Sequence, residues 1–191
     1  MTAQETTALI RKRRSIFPPQ YTDQPISDEL IWEILENANW APTHRLTEPW
    51  RFKVFQGAAL ERLSTYLGDW YKDHTSEAAF SERKFEKTKK KALQSSCVIA
   101  ICMQRDPEER VPEWEEIAAT AAAVQNMWLT CSAHGVGCYW SSPKSMAEAT
   151  DFLGLQPGER CLGLLYMGYH NMPELPGKRQ PIQEKVEWFR D

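Results

Sequence analysis

The run SCVIAICM, residues 96–103, is the stretch that decides the fold of this chain. Residues 97–103 are apolar without interruption, which is typical of a central β-strand buried on both faces of a sheet. The longest predicted helix follows at about 113–134, with three glutamates in its first turn. Apolar residues cover much of its circumference, so we expect this helix at the centre of the molecule or at a dimer interface.

The segments around this strand and helix are alternately helical and extended in pattern. Helical spacing of apolar residues predicts further helices at about 4–13, 28–39, 60–73, 77–94 and 146–153, the last capped by Ser145 with Glu148. Extended patterns predict strands at 50–55, 136–140 and 160–169 and a last extended segment at 182–189. This order indicates an α+β or mixed α/β fold with a sheet of about four strands and a C-terminal arm.

Size and composition indicate a single globular domain, residues 1–191. Hydrophobic residues make up 42% of the chain and charged residues 26%, as in soluble proteins. The net charge of -3 argues against a nucleic-acid-binding protein, whose binding face is usually basic. No apolar run approaches the ~20 residues that cross a membrane, and the N-terminus lacks a signal-peptide pattern. We therefore expect a cytoplasmic protein with neither a membrane nor a nucleic acid as its partner.

The cysteines and histidines do not form a metal-binding pattern. The five cysteines include no CxxC pair and mostly lie in apolar runs, and the four histidines are scattered. The sequence also lacks the glycine motifs of P-loops, of dinucleotide-binding turns and of nucleophile elbows. We expect a reducing compartment, no bound metal, and chemistry that depends on an organic cofactor.

One polar helix is predicted in the middle of the chain. The segment 77–94 is rich in Glu and Lys and poor in apolar residues, and its basic run Lys87–Lys91 has acidic neighbours. This composition favours a solvated helix face over a DNA or lipid patch. A helix with few apolar residues packs weakly, so we expect a mobile element that could cover a pocket.

The triplet Arg13-Arg14-Ser15 offers groups that suit a phosphate. A guanidinium presents a fork of donors that matches phosphate oxygens, and the serine hydroxyl adds a short donor. Cations in this position also complement the dipole at the end of the first helix, and the residues alone leave both interpretations open. Lys178 and Arg179 in the C-terminal arm gain interest only if they converge with Arg13.

Two further stretches combine a turn with polar groups. In the segment 40–50, a fixed Ala-Pro bend carries Thr43 and His44, although an ordinary helix-to-strand loop has the same composition. In GVGCYWSSP, residues 135–143, small and polar residues would let the backbone, Ser141 and Ser142 approach a ligand closely. A tight strand-to-helix turn explains this second stretch equally well.

Taken together, these segments resemble the FMN-dependent nitroreductase family, especially its compact members with His after an Ala-Pro pair. The resemblance covers nearly the whole chain, in the order RRS (13–15), APTH (41–44), PWRF (49–52), the buried strand, the long helix, GVGCYW (135–140), LLYMGY (164–169) and KRQP (178–181). The family implies an α+β fold with a mainly antiparallel sheet of four to five strands flanked by helices. It also implies a homodimer in which the C-terminal arms are exchanged.

The same resemblance implies a cofactor and the residues around it. A family member holds two FMN molecules at the dimer interface, with the phosphate and ribityl chain on the residues matched by Arg13, Arg14 and Ser15. Lys178 and Arg179 match arm residues that neutralise the phosphate in the family. Trp40 and His44 match residues that reach the FMN of the other subunit. Trp140, Ser141 and Ser142 match residues that line the isoalloxazine near its N5 atom.

The implied reaction is a ping-pong hydride transfer without a catalytic side chain. NAD(P)H gives a hydride to N5 of FMN, and a small-molecule acceptor such as a nitroaromatic or quinone then takes two electrons. The segment Thr130–Gly135 matches a stretch associated with nicotinamide binding. Phe17 replaces a cation common in relatives, so we expect a lowered flavin reduction potential, and Leu46 and Glu48 replace the usual Asn and Gln.

Other functions fit the same residues. A flavoenzyme of this fold could instead reduce activated C=C bonds or remove halogens. A non-enzymatic FMN-binding protein would use the same phosphate and flavin contacts without turnover. A helical structural dimer would bind no cofactor, and its eight tryptophans would belong to the core.

Overall fold

A computed structural model describes residues 2–174 and 176–190 of the chain. In this part of the chain the strands are β1 (Trp50–Phe55), β2 (Cys97–Gln104), β3 (Val136–Ser141) and β4 (Glu159–Tyr169). The helices are α1 (Ala3–Lys12), α2 (Asp28–Asn39), α3 (Ala58–Asp73), α4 (Glu82–Leu93), α5 (Glu113–Ala133), α6 (Lys144–Ala147) and α7 (Thr150–Leu153). Short 3-10 turns occur at Pro18–Gln20, His44–Leu46, Glu77–Ala79 and Ile182–Lys185.

The four strands form one sheet in the order β1-β2-β4-β3, and every neighbouring pair is antiparallel. Strand β2 lies between β1 and β4, and its residues from Cys97 to Met103 are buried. The α+β fold with an antiparallel sheet is confirmed, and so is the central strand. Since β3 is an edge strand, one side of its backbone is open to other partners.

Two apolar cores lie on the two faces of the sheet. One core packs α2 and α5 against the sheet through residues such as Ile34, Met127 and Leu165. The other packs α3, α6 and α7 against the opposite face through residues such as Leu63 and Tyr166. The sheet is therefore a middle layer between two layers of helices. No helix in the described residues is long and apolar enough to span a lipid bilayer.

Three local expectations are wrong. The predicted helix 146–153 is divided into α6 and α7, and Ser145 is buried inside α6 instead of capping it. The predicted helix 77–94 is a 3-10 turn followed by α4. The segment 182–189, expected to be extended, begins with the 3-10 turn Ile182–Lys185. Each error concerns an element boundary, where local hydrogen bonds and prolines outweigh the periodic pattern.

Helix α4 packs more closely than its composition suggested. A Cβ added to Gly68 of α3 would lie 2.8 Å from Cγ of Lys89, so the glycine makes room for the lysine stem. The Lys89 ammonium lies 4.9 Å from the centroid of the Phe85 ring, and Lys91 is half-buried. The lysine stems supply apolar contact area, so α4 packs less weakly than predicted. Lys87 and Lys90 are exposed, as expected for a solvated helix face. The mobility of this helix stays a prediction.

The buried carboxylate of Glu116 fixes the start of α5. Glu116 is 1% exposed, accepts a hydrogen bond from the Asp106 amide at 2.9 Å and forms an ion pair with Arg105. These contacts tie the loop after β2 to the first turn of α5. Since α5 carries residues of the candidate site described below, this anchor also positions that site.

We predict that Glu116→Ala lowers the free energy of unfolding by about 2–4 kcal/mol, because a buried amide and a guanidinium lose their acceptor. The matched control is Glu113→Ala in the same first turn, where the glutamate pairs with Arg160 at 3.1 Å on the surface. The control should change stability by about 0.5 kcal/mol or less. Urea unfolding measures both, and equal effects would contradict the anchoring role.

Candidate functional site

Arg13 and Arg14 are held against α5 by a tryptophan. Arg13 follows the last residue of α1, and its guanidinium lies 4.6 Å from the centroid of the Trp128 ring. The indole Nε1 of Trp128 donates to the Arg14 carbonyl at 3.2 Å. Arg14 donates through Nη1 to the carbonyls of Arg11 (2.6 Å) and Arg13 (2.8 Å). The indole of Trp128 thereby orients both arginines.

The C-terminal arm meets these arginines. A Cβ added to Gly177 would lie 2.4 Å from Nη2 of Arg14, so the backbone of the arm passes directly beside this guanidinium. Burial lowers the pKa of Arg13, and the neighbouring charges of Arg179 and Arg14 lower it further. The three arginines line a cavity of about 530 Å³. Its complete lining is Ile10, Arg11, Arg13, Arg14, Gln125, Gly177 and Arg179.

Cations from the two ends of the described chain therefore converge. This meets the condition under which the arm residues were expected to contribute to a phosphate site. Arg179 shares one cavity with Arg13 and Arg14, and Arg11 is a fourth arginine in its walls. Lys178 lies beside Arg179 but does not line the cavity. Four guanidinium groups around one cavity repel one another, so the arrangement favours an anionic ligand.

The edge of β3 lies next to this cationic cluster. Ser15 forms a parallel bridge with Cys138, and the Ile16 amide donates to the Cys138 carbonyl at 3.0 Å. Because backbone groups alternate along a strand, the amide and carbonyl of Trp140 face the same edge as those of Cys138. Beyond the bridge, that edge is continued by Ser141, which is half-buried, and by Ser142, which is exposed. The edge therefore offers backbone and hydroxyl groups to a ligand.

The indole of Trp140 leaves a polar atom without a partner. Its Nε1 is buried and has no hydrogen-bond acceptor among the described residues. The indole packs over Gly163 of β4, which has a φ of 141° next to an irregularity in the β2–β4 ladder. A Cβ at Gly163 would lie 2.7 Å from Trp140 Nε1 and 2.4 Å from the Ser141 carbonyl. A buried donor without a partner is costly, and this one faces Gly163 inside the protein.

Trp40 and His44 lie elsewhere in the same chain. The indole of Trp40 is 79% exposed and donates to Glu36 at 3.2 Å. His44 contacts Glu115 at 2.6 Å, near the start of α5. Glu115 and Gln125 are ten residues apart on that helix, which corresponds to about 15 Å. His44 is thus well separated from the cationic cavity of its own chain.

The backbone after His44 is strained. Arg45, Leu46 and Glu48 have φ angles of 53°, 52° and 41°, although none is glycine. Each such residue costs about 1–2 kcal/mol, and clusters of them occur mostly at functional sites. The Thr43 hydroxyl accepts from the Glu48 amide at 3.2 Å and helps to hold this conformation. No sequence pattern predicts a left-handed backbone conformation at an Arg or a Leu, so the sequence analysis missed this feature.

A second cavity lies beside the predicted nicotinamide segment Thr130–Gly135. It measures about 290 Å³ and is lined by Ser132, Ala133 and Gly135 of that segment together with Lys12, Arg14, Ile16, Val136, Gly137, His170, Met172, Pro173 and Glu174. The Met172 amide donates to Nδ1 of His170 at 3.2 Å, and burial lowers the pKa of this imidazole. Both observations favour a neutral His170 with its proton on Nε2. His134 instead contacts Glu33 at 3.0 Å on the surface.

The described residues include no candidate metal site. Among residues 2–174 and 176–190, no three His, Cys, Asp or Glu side chains are grouped so that they could hold a metal ion. The five cysteines are free and buried.

The family model described as the nitroreductase family matches residues 10–169. The chain belongs to the nitroreductase family. It is 31% identical over 180 residues to YfhC of Bacillus subtilis (strain 168), which bears the provisional name NAD(P)H nitroreductase. This match covers 93% of the present chain and 90% of YfhC.

Solved structures of nitroreductases have the same fold. A nitroreductase-like family protein from Bacillus cereus is 29% identical, with a TM-score of 0.82 over 100% of this chain and 99% of the other. A structure from Desulfovibrio desulfuricans, determined in complex with FMN, is 26% identical, with a TM-score of 0.73 over 99% of this chain and 100% of the other. The nitroreductase fold expected from the sequence is confirmed.

We predict that Gly163→Ala destabilises this nitroreductase by about 3 kcal/mol, because the methyl group meets a backbone carbonyl and the residue must keep a glycine conformation. The matched control is Gly154→Ala, where the backbone is in the left-handed α region (φ 60°, ψ 46°) and the space around the new Cβ is open. The control should cost only about 1 kcal/mol. Equal shifts in thermal unfolding would show that Trp140 and Ser141 do not press on Gly163.

Proposed function

We propose that this chain is an FMN-dependent NAD(P)H oxidoreductase in which residues 1–191 form one FMN-binding domain. The observation that carries the proposal is the convergence of Arg13, Arg14 and Arg179 beside the open edge of β3. The names of the relatives support the same activity, since YfhC is named for NAD(P)H and the Desulfovibrio protein was solved with FMN.

The guanidinium groups of Arg13, Arg14 and Arg179 fit the phosphate of FMN. A phosphate carries close to two negative charges, and each guanidinium can donate two parallel hydrogen bonds to its oxygens. The Ser15 hydroxyl, exposed next to Arg14, supplies a further donor. Lys178 adds positive charge from outside the cavity without entering it. An anion bound among these cations lowers their mutual repulsion, so the cluster favours FMN over unphosphorylated flavin.

The edge of β3 and the Trp140 indole fit the isoalloxazine ring. The ring has acceptor atoms along its edge and an extended apolar face, and the Trp140 amide, Ser141 and Ser142 offer donors at the strand edge. When bound, FMN would supply the two-electron chemistry between NAD(P)H and an acceptor such as a nitroaromatic or a quinone. The protein positions the ring and excludes water.

We further propose that two copies of the chain assemble with their arms exchanged. Large apolar side chains are exposed on the outer side of α2, at the start of α5 and in the arm: Trp32, Trp40, Leu46, Trp114, Ile182, Trp188 and Phe189. Such a concentration of exposed aromatic groups is typical of an interface. A two-fold partner would also bring its own Trp40 and His44 to a cationic cavity that they cannot reach within their own chain.

The first experiment is the visible spectrum of the purified protein with FMN under anaerobic conditions. We predict that NADH or NADPH bleaches the flavin absorption and that a nitroaromatic or quinone restores it. Restoration only by an activated alkene or a halogenated compound would favour the related reductase or dehalogenase functions. If FMN is bound but neither nicotinamide bleaches it, the protein is a non-enzymatic FMN-binding protein and the proposed activity is overturned. If the chain binds no FMN, the whole proposal is overturned.

The shared site predicts complementation between two inactive variants. Arg13→Glu removes a phosphate contact from one chain, and Trp40→Ala with His44→Ala removes the groups donated to the partner. Each homodimer should be nearly inactive. After unfolding and refolding together, about half the dimers are mixed and each regains one intact site, so activity should return to about a quarter of the wild-type value. Recovery that never exceeds the average of the two variants would contradict a site built from both chains.

A further inference from the structure

A second basic surface lies on α4, away from the phosphate cluster. Arg83, Lys87 and Lys91 are spaced four residues apart and so lie on one side of this helix, with Lys90 next to them. All four line a cavity of about 660 Å³, which is within the usual size of a small-molecule site. The remaining lining is Phe17, Pro18, Pro19, Glu86, Gln94 and Tyr139. We call this space the α4 cavity.

The wall opposite α4 is aromatic. The rings of Phe17 and Tyr139 lie with their centroids 4.6 Å apart at 51°, and Phe17 is 46% exposed. The Lys91 ammonium lies 5.5 Å from the centroid of the Tyr139 ring. An aromatic surface of this kind can stack against a flat ligand ring, while the ammonium remains available to the ligand's substituents.

The charges of the α4 cavity are not balanced by the protein. Four cations line it and only one carboxylate, Glu86, does so. Among residues 2–174 and 176–190, no carboxylate oxygen lies within 4.0 Å of the charged nitrogens of these four cations. This part of the surface is therefore strongly positive although the chain as a whole carries a net charge of -3. Clefts lined by one sign of charge concentrate ligands of the opposite sign.

The α4 cavity adjoins the edge of β3. Phe17 follows Ser15 by two residues, and Tyr139 directly follows Cys138, so the aromatic wall of the cavity begins at the Ser15–Cys138 bridge. A ligand in the α4 cavity would lie next to the edge on which we placed the flavin. Phe17 contributes stacking surface at this edge.

We propose that the α4 cavity binds the electron acceptor and selects flat aromatic acceptors that carry an anionic substituent such as a carboxylate or a sulfonate. The ring stacks on Phe17 and Tyr139, and the anionic group is attracted by Lys87, Lys91 and their neighbours. This inference rests on the proposed function, because it names the acceptor class of the same enzyme.

The test compares two acceptors of similar shape, the anionic 4-nitrobenzoate and the neutral 4-nitrobenzamide, in the FMN-loaded dimer. Because the carboxamide withdraws electrons more strongly, the effect of charge is measured by the change of the kcat/KM ratio with ionic strength and with lysine substitution. We expect kcat/KM to be about tenfold higher for the carboxylate at low ionic strength. The ratio should fall towards one as the ionic strength rises from about 10 mM to about 150 mM, because the screening length shortens from about 30 Å to about 8 Å.

Lys87→Gln with Lys91→Gln should reduce this ratio to near one. The matched control, Lys72→Gln with Lys84→Gln, removes the same charge from exposed positions on α3 and α4 outside the cavity and should keep the ratio. Flavin content and reduction potential are measured on all variants. A ratio that stays high in the Lys87 and Lys91 variant, or a variant that loses FMN or shifts its potential without changing the ratio, would overturn the proposal.

A binding measurement separates this proposal from the proposed function. Calorimetric titration with 2-naphthoate and with 2-naphthamide, neither of which is reduced, should show at least tenfold tighter binding of the carboxylate, lost in the Lys87 and Lys91 variant. Equal binding of the two probes together with normal flavin turnover would overturn the acceptor class alone. Selective binding of 2-naphthoate to a chain whose flavin takes no electrons from NAD(P)H would overturn the proposed function and the acceptor role with it.

Discussion

The candidate site depends on a cluster of arginine side chains that the fold holds close together in spite of their like charges. Arg13, Arg14 and Arg179 come from opposite ends of the described chain and repel one another. Burial lowers the pKa of Arg13, and the charges of Arg179 and Arg14 lower it further. The Trp128 indole holds the first two, through the Arg13 guanidinium and the Arg14 carbonyl, and the arm passes beside Arg14 at Gly177. A cluster assembled against electrostatic repulsion gains most when an anion binds.

The rest of the fold supports this cluster. Strand β2 fixes the sheet, α5 packs on it and carries Trp128 and Gln125, and Glu116 ties the start of α5 to the preceding loop. The bridge between Ser15 and Cys138 then sets the distance between the cluster and the open edge of β3. A rigid sheet and a buried helix are suitable supports for a site that must bind a phosphate and a flat ring at once.

The sequence predicted the elements whose burial is periodic or continuous. The strands β1, β2, β3 and β4 and the helix α5 were found within two residues of their ends, because their apolar patterns reflect the two cores directly. The packing of α4 was underestimated, since lysine stems and a single glycine, Gly68, provide packing that composition does not reveal. The left-handed residues Arg45 and Leu46 could not be anticipated, because their conformation is imposed by the surrounding structure. The individual site contacts, including the roles of Trp40 and His44, remain predictions.

The most direct measurement is a titration of the protein, freed of any bound flavin, with FMN and with riboflavin, followed by flavin fluorescence. The two ligands differ only in the phosphate. We predict that FMN binds at least about 100-fold more tightly, from two or more charge-assisted hydrogen bonds, and that Arg13→Gln with Arg179→Gln removes most of this difference while Arg62→Gln keeps it. Equal affinity for FMN and riboflavin in the unaltered protein would contradict the account.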